Sequence, residues 1–403
     1  MADAPARFEW HPQAKLSWRG REVPRPSGMA PAMAPLTVRL AHALNCGGPF
    51  LLSDDPELLQ LTAGAAHGTF FTLTGGTTGA PKVIRRSCAS WIASFEVNAR
   101  LFDCEVIDQV AVLGDLSHSL AQYGTVEALH LGLDAHVLAD QSPRRQSVCV
   151  AEAGATILYA TPTQLRLLAR GAAAPLPSLR LVLCGGGALD AATRAVVKGL
   201  CPEAAVPVFY GAAETSFITL ADAHTPEGSV GRPYPGVNLR LLDRAGRPTS
   251  DVGEIWVRSP YLFDGYALGS STDTRWQDGF VTVGEIGELD ADGHLWIKGR
   301  RQRMVQIADQ MVFPEAVETV IAAHTRLPCA VLPREDALRG QHLVAVVETA
   351  AKELSAEEII ANCRAALGTL AAPRRVFFNS DLPLLPSGKI DLNALSNWLE
   401  GQI

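Results

Sequence analysis

The sequence predicts an α/β protein: a large N-terminal domain of parallel-sheet α/β layers with a small β-rich subdomain, then a small α+β C-terminal domain. Three observations support this expectation. Between about residues 90 and 300, short apolar runs alternate with helix-length segments, the pattern of a parallel sheet clad in helices. From about residue 235 the runs become short and closely spaced, separated by Gly/Asp turns such as Arg244-Ala245-Gly246 and Asp292-Gly293. After Arg300, helical and strand patterns mix in a further unit of about one hundred residues.

Taken in order, the first strands are expected at 110–113, 135–138, 156–159, 179–183 and 206–210, each a strand-like, largely apolar run. Helices are expected between them at 122–131, 163–170 and 188–200. Two loops, Cys184-Gly185-Gly186-Gly187 and Gly211-Ala212-Ala213-Glu214, directly follow strand candidates, where open parallel sheets gather their ligands. Hairpin strands follow at 238–242, 254–258, 280–283 and 294–297. In the last unit, segments 314–323 and 355–366 read as helices, the second opened by the capping pattern Ser355-Ala356-Glu357-Glu358. Strands are expected at 329–332, 343–348 and 375–378. A polar basic stretch at Arg301–Arg303 marks the boundary, giving domains 1–300 and 301–403.

Composition removes several function classes. A net charge of −7 with no basic block argues against nucleic acid as a main partner. No apolar run approaches the length needed to span a bilayer, and the first residues are polar and proline-rich, unlike a leader. Eight cysteines without a CxxC pair argue against a disulfide framework or a zinc site, so a cytoplasmic location is expected. His118, His130 and His136 have no carboxylate or cysteine at ligand spacing and read as scattered histidines.

The chemistry concentrates in Thr72-Leu73-Thr74-Gly75-Gly76-Thr77-Thr78-Gly79-Ala80-Pro81-Lys82. Glycines let a backbone close on a polyanion, threonine hydroxyls and free N–H groups donate to phosphate oxygens, and Lys82 adds positive charge. The spacing is not that of a P-loop. A flexible loop closing over a triphosphate fits this composition; a plain Gly/Thr surface hairpin is the bland alternative. Four more motifs follow in order: Phe209-Tyr210-Gly211-Ala212-Ala213-Glu214-Thr215; Gly279 to Gly287, containing Gly284-Glu285; Trp296 to Arg301; and Leu382 to Asp391, containing Ser387-Gly388-Lys389.

Together these motifs resemble the adenylate-forming superfamily of acyl-CoA synthetases, aryl-acid ligases, peptide-synthetase adenylation domains and luciferases. The similarity runs from about Pro35 to the C-terminus. It implies an AMP-forming acid–thiol ligase that uses ATP, Mg²⁺ and CoA to turn a carboxylic acid into an acyl-adenylate and then a thioester. By that resemblance Thr74, Gly75, Gly76, Thr77, Thr78, Gly79 and Lys82 hold the β- and γ-phosphates, and Gly186, Gly211 and Ala213 also border the nucleotide. Glu214, with Thr78, attends the metal, as suits hard oxygen donors. Tyr210 stacks beside adenine, Glu285 and Arg300 bond the ribose, and Lys389 stabilises charge at the α-phosphate. The acyl pocket falls to His118, Ser119, Gln122, Tyr123, Gly185, Gly187 and Ala212.

The chain departs from the family pattern in places. Ala213 stands where relatives carry a hydroxyl, and Glu285 replaces an aspartate. Gln302 occupies the hinge, and Asp309 replaces a glycine that lines the pantetheine path in relatives, which puts thioester formation with CoA in question. The phosphate loop comes early, so the front that walls the acyl pocket and covers the sheet is short; a homodimer is the expected remedy for an uncovered edge. Ser119, where amino-acid-activating relatives place an aspartate, disfavours an amino-acid substrate; a fatty or similar aliphatic acid is favoured over an aromatic one. The runner-up acceptor is an acyl carrier protein. A degenerate binding protein and a nucleotide-binding kinase are the readings from other classes. Retention of Lys389, Glu214 and Arg300 weighs against the first, and the Gly/Lys spacing against the second.

Overall fold

The computed structural model of the chain describes residues 5–28, 34–75, 81–308, 310–336, 340–349, 354–384 and 390–402. At its centre lies a nine-stranded sheet, ordered Arg232–Pro233, Ser216–Ala221, Val208–Ala212, Leu181–Cys184, Ile157–Ala160, Gln109–Val112, Asp134–Val137, Leu16–Trp18 and Arg21–Val23. The inner strands pair in parallel, and an antiparallel strand or pair closes each side. Ile157–Ala160 and Leu181–Cys184 are buried at every position, because helices cover both faces of a parallel sheet and leave no solvent side.

The two faces differ in chemistry. One packs aromatic rings, including Phe70, Trp91, Phe95, Tyr123 and Phe217, against the interior helix Ser119–Leu131. The other is aliphatic, with Leu158, Leu165, Leu168, Val182 and Val197 under the helices Pro143–Glu152, Pro162–Gly171 and Ala191–Leu200. Ser142, Thr161 and Asp190 each cap one of these helices by accepting from a backbone N–H. Sequence reading leaves Pro143–Glu152 unassigned, since its polar composition buries only Ser147, Cys149 and Val150.

The front of the chain covers its own sheet edge. Phe8, Trp10 and Leu16 enter the aromatic core, and the hairpin of Leu16–Trp18 with Arg21–Val23 forms the outermost strands. That last strand is short, carries Arg21 and Glu22, and runs into Pro24, all features that blunt an edge. An uncovered edge therefore no longer argues for a homodimer.

A four-stranded sheet joins Phe50–Leu51, Thr69–Gly75, Pro81–Ser87 and Gly265–Leu268. The β-rich region is a six-stranded sheet centred on Gly253–Arg258, with Asn238–Leu242, Arg275–Gln277, Phe280–Thr282, Glu285–Leu289 and Leu295–Arg300. Past residue 300, the strands Cys329–Asp336, Gly340–Glu348 and Arg375–Asn379 form a three-stranded sheet whose alternate residues feed two clusters. Val331, Leu343, Ala345 and Val347 meet the helices Pro314–Thr325 and Ala356–Leu367; Leu332, Val344 and Val346 meet Leu392–Glu400.

The expected strand at 206–210 is displaced to Val208–Ala212 and pairs antiparallel with Ser216–Ala221, so Gly211 and Ala212 belong to a strand rather than a loop. A Cβ on Gly211 would lie 1.8 Å from the Ser216 carbonyl oxygen, so only glycine permits this close pairing.

Candidate active site

The phosphate-binding candidate is a hairpin. Thr69–Gly75 and Pro81–Ser87 run antiparallel, with Thr74 opposite Lys82 and Gly75 opposite Pro81. Its roots are fixed on both sides: Phe70 enters the aromatic core, while Phe71 and Val83 pack with Leu51 and Leu58. The connecting residues, Gly76, Thr77, Thr78 and Gly79 among them, lie outside the described residues.

The strand ending at Ala212 turns through Ala213, Glu214 and Thr215. The Ala212 N–H donates to the buried Thr215 hydroxyl at 3.1 Å, and Ser216 takes a left-handed φ of 56° to leave the turn. Arg86, buried within the hairpin's second strand, ties this turn in place. Its guanidinium donates to the Ala213 carbonyl at 3.0 Å, to the Tyr261 carbonyl at 2.7 Å and to the Ser216 hydroxyl. Burial pulls the Arg86 pKa down to about 10, against the opposing charges of Asp264 and Glu214, so the group is still cationic at neutral pH.

A strap completes the arrangement. The Phe263 N–H donates to the Glu214 carbonyl at 2.9 Å, the Asp264 N–H to the Arg85 carbonyl at 2.9 Å, and Gly265–Leu268 then pairs with Pro81–Ser87. This brings the Tyr266 hydroxyl to Glu214 Oε1, to which it donates at 2.7 Å; Thr274 Oγ1 lies 2.9 Å from the same hydroxyl. The Lys82 ammonium sits 6.0 Å from the Tyr266 ring centre, at the outer limit of a cation–π contact. Ala213 packs beside Ile84, Phe263 and Val281, an apolar setting that suits its methyl group.

Glu285 and Arg300 face each other as cross-strand partners, 3.6 Å apart in an ion pair, with Arg300 about half exposed. Tyr210 packs its ring against the cluster of Ile218, Leu241 and Ile255, and its buried hydroxyl has no partner among the described residues.

Of the acyl-pocket candidates, His118 and Ser119 stand at the start of the interior helix, where His118 forms a parallel bridge with Leu73 of the phosphate hairpin. Gly185 lies against Leu120 of that helix, and Gly186 and Gly187 line a groove with Thr161, Pro162 and Arg166. Gln122 is buried, and its amide nitrogen has no partner among the described residues. Tyr123 has a different setting. It is 4% exposed, and its hydroxyl is engaged by Ser94, Asn98 and Glu127 inside the core.

Residues 53–267 match the model of the AMP-binding enzyme family, and residues 316–389 match that of the AMP-binding enzyme C-terminal domain. The chain belongs to the AMP-binding enzymes. Among its relatives is YhfT of Bacillus subtilis, an uncharacterized acyl–CoA ligase, 30% identical over 343 residues that make up 84% of this chain and 70% of that one. A 3-hydroxybenzoate–CoA ligase of Aromatoleum is 28% identical across 90% of this chain and 72% of its own length. Among solved structures, the amide bond synthetase McbA of Marinactinospora thermotolerans is 25% identical with a TM-score of 0.71, covering 84% of this chain and 71% of that one.

Arg301 and Gln302 of this AMP-binding enzyme take other partners than Arg303 does, while the Met304 sulfur still accepts from Arg244 at 3.9 Å. Arg301 pairs with Asp273 and Glu254, and Gln302 donates to Thr272 at 2.9 Å. Arg303 instead bonds Glu318 in a fork at 3.1 and 2.6 Å and the Val331 carbonyl at 3.0 Å. Lys389 and Asp309 lie outside the described residues; Leu384 and Ile390, which flank the Lys389 segment, form an antiparallel bridge.

Among the described residues no three His, Cys, Asp or Glu side chains converge as a metal cage. Glu214 offers one carboxylate, with Oε1 taken by Tyr266 and Oε2 accepting no hydrogen bond among the described residues. One carboxylate supplemented by substrate phosphates and water is an ordinary Mg²⁺ environment, so the site fits a metal that arrives with ATP. Sequence reading finds Glu214 and Lys82 but misses Tyr266, Thr274 and Arg86. The pair Arg85-Arg86 carried a usable signal: consecutive residues in a strand face opposite ways, so one arginine had to point inward.

Proposed function

We propose that the chain activates a carboxylic acid with ATP and transfers the acyl group to the thiol of CoA. The observation that carries this reading is the convergence of Lys82, Glu214 and their strap at the root of the Gly/Thr hairpin. A carboxylate oxygen attacks the α-phosphorus, the bond to the bridging oxygen of the β-phosphate breaks, and pyrophosphate leaves. The thiol sulfur then attacks the acyl carbon, loses its proton, and AMP departs with the electron pair of the broken C–O bond. Both steps crowd negative charge, so positioned cations and donors are what the protein must supply. Lys82 and the loop it anchors hold the outer phosphates, Glu285 and Arg300 the ribose, Tyr210 the adenine, and Lys389 the α-phosphate. Glu214 and Thr78 are the residues that would hold Mg²⁺ arriving with ATP, and the ion would supply charge neutralisation for the pyrophosphate.

The division into 1–300 and 301–403 belongs to the same proposal, with Gln302 as pivot; the differing partners of Gln302 and Arg303 support it. His118, Ser119 and the Gly185–Gly187 turn border the acyl group, an aliphatic or aromatic acid. Relatives named as acyl–CoA ligases support CoA as acceptor.

The test is ATP-dependent hydroxamate formation over a panel of fatty and aromatic acids, with and without CoA. Hydroxamate from at least one acid, and faster AMP release on adding CoA, is the expected result. Release stimulated by a holo-carrier protein but not by CoA replaces the acceptor. Silence across the panel with intact ATP binding overturns the reading.

A further inference from the structure

Tyr266 stands out among the residues the proposed chemistry does not use. Its hydroxyl has one proton, and the geometry gives that proton to Glu214 Oε1 at 2.7 Å; Thr274 Oγ1, 2.9 Å away, is then the donor to the phenolic oxygen. The ring itself is locked. It meets Phe263 edge-on at 5.3 Å, Phe263 stacks on Trp276 at 5.7 Å, and the backbone on either side is pinned to the phosphate hairpin and the Glu214 turn. A hydrogen bond to a carboxylate is charge-assisted and directional, and it fixes the rotation of the group that accepts it.

We propose that Tyr266, supported by Thr274, is a positioning residue that orients the Glu214 carboxylate so that Oε2 faces the phosphates of Mg·ATP. The proposal rests on the reading of Glu214 as the metal carboxylate. It also explains why a strap from residues 261–268 crosses between the two phosphate-binding elements: the strap delivers one hydroxyl to one carboxylate oxygen. Removing the partner that orients a metal-binding side chain typically lowers metal affinity or activity by about 10- to 100-fold.

The decisive variant is Tyr266→Phe, which keeps the ring and its packing and deletes only the hydroxyl. Two readouts are needed: calorimetric ATP binding as a function of Mg²⁺, and acid-dependent ATP–pyrophosphate exchange. The Mg²⁺ concentration for half-maximal ATP binding should rise about tenfold, with the KM for the acid unchanged and the melting temperature nearly so. In a Glu214→Gln background the same change should have no further effect. An unaltered Mg²⁺ midpoint, or effects that multiply in the double variant, overturns the proposal. Should Tyr266→Phe unfold the protein, Thr274→Val, which leaves the tyrosine in place, must shift the Mg²⁺ midpoint in the same direction, and its failure to do so is equally fatal. The binding readout needs no acid, so failure of the ligase reading would appear as missing exchange while the Mg²⁺ shift still decides the role of Tyr266.

Discussion

Two glutamates among the described residues accept a tyrosine hydroxyl, and their surroundings give them opposite jobs. Glu127 lies in the aromatic core, 5% exposed, with both oxygens consumed: Tyr159 donates to Oε2, and Asn98 at 2.8 Å and Tyr123 at 3.2 Å donate to Oε1. Tyr234 extends the network by donating to Asn98 at 2.6 Å. Glu214 sits at the turn beside the phosphate hairpin, with one oxygen held by Tyr266 and the other accepting no hydrogen bond among the described residues. A fully satisfied buried carboxylate contributes a unique core; a half-satisfied, partly exposed one is equipped to take a ligand. The difference between structure and function here lies in the unused oxygen, not in the residue type.

Replacing each glutamate separates the two roles, and the largest effect belongs to Glu214. Glu214→Gln should lower acid-dependent pyrophosphate exchange by about a hundredfold or more, the usual scale for losing one charge-stabilising group, while the melting temperature moves little. The converse change, Glu127→Ala, should cost about 3 kcal/mol of folding stability by orphaning three buried donors, measured by denaturant titration, with activity of the folded fraction retained. If both variants lose activity and keep stability, the contrast fails.

Acid titration sharpens the comparison. Burial raises the Glu127 pKa from 4.5 to about 7, with its hydroxyl and amide donors opposing the shift. The folded state therefore binds this proton more tightly than the unfolded chain. Its contribution is fully present below pH 4.5 and is lost as pH rises through 7, a change of about 3 kcal/mol over that window. Comparing unfolding free energies of the wild type and Glu127→Gln from pH 4.5 to 7 should show this loss in the wild type alone. Parallel curves would mean that Glu127 is not the group responsible.

The smallest effect concerns Ala213. Its methyl packs beside Ile84, Phe263 and Val281, so Ala213→Ser should change the exchange rate by no more than about threefold and cost about 1 kcal/mol of stability. A large gain in rate would show instead that the absent hydroxyl limits catalysis.

Much of the fold was legible because buried strands advertise themselves. The inner parallel strands and the hairpins at Asn238–Leu242 and Gly253–Arg258 fall within two residues of their expected places, each being a run of apolar residues bounded by turns. The front hairpin of Leu16–Trp18 and Arg21–Val23 was not legible: two three-residue strands carry no periodicity, and their partner at Asp134–Val137 lies more than a hundred residues away. In the site, local motifs expose Lys82, Glu214, Glu285 and Arg300 as candidates. Tyr266 escapes because its importance comes from a tertiary crossing, in which a strap of ordinary composition is drawn between two elements that sequence separates by over a hundred residues. Arg86 also acts through tertiary contacts, but the strand alternation of Arg85-Arg86 could have flagged it.

Acyl-adenylate formation is the step on which the rest depends, and acid-dependent exchange of labelled pyrophosphate into ATP, in the absence of CoA, measures it alone. Exchange with a fatty or aromatic acid is expected, falling by about a hundred- to a thousandfold in Lys389→Ala. Exchange that is absent with every acid, or that survives intact in Lys389→Ala, would contradict it.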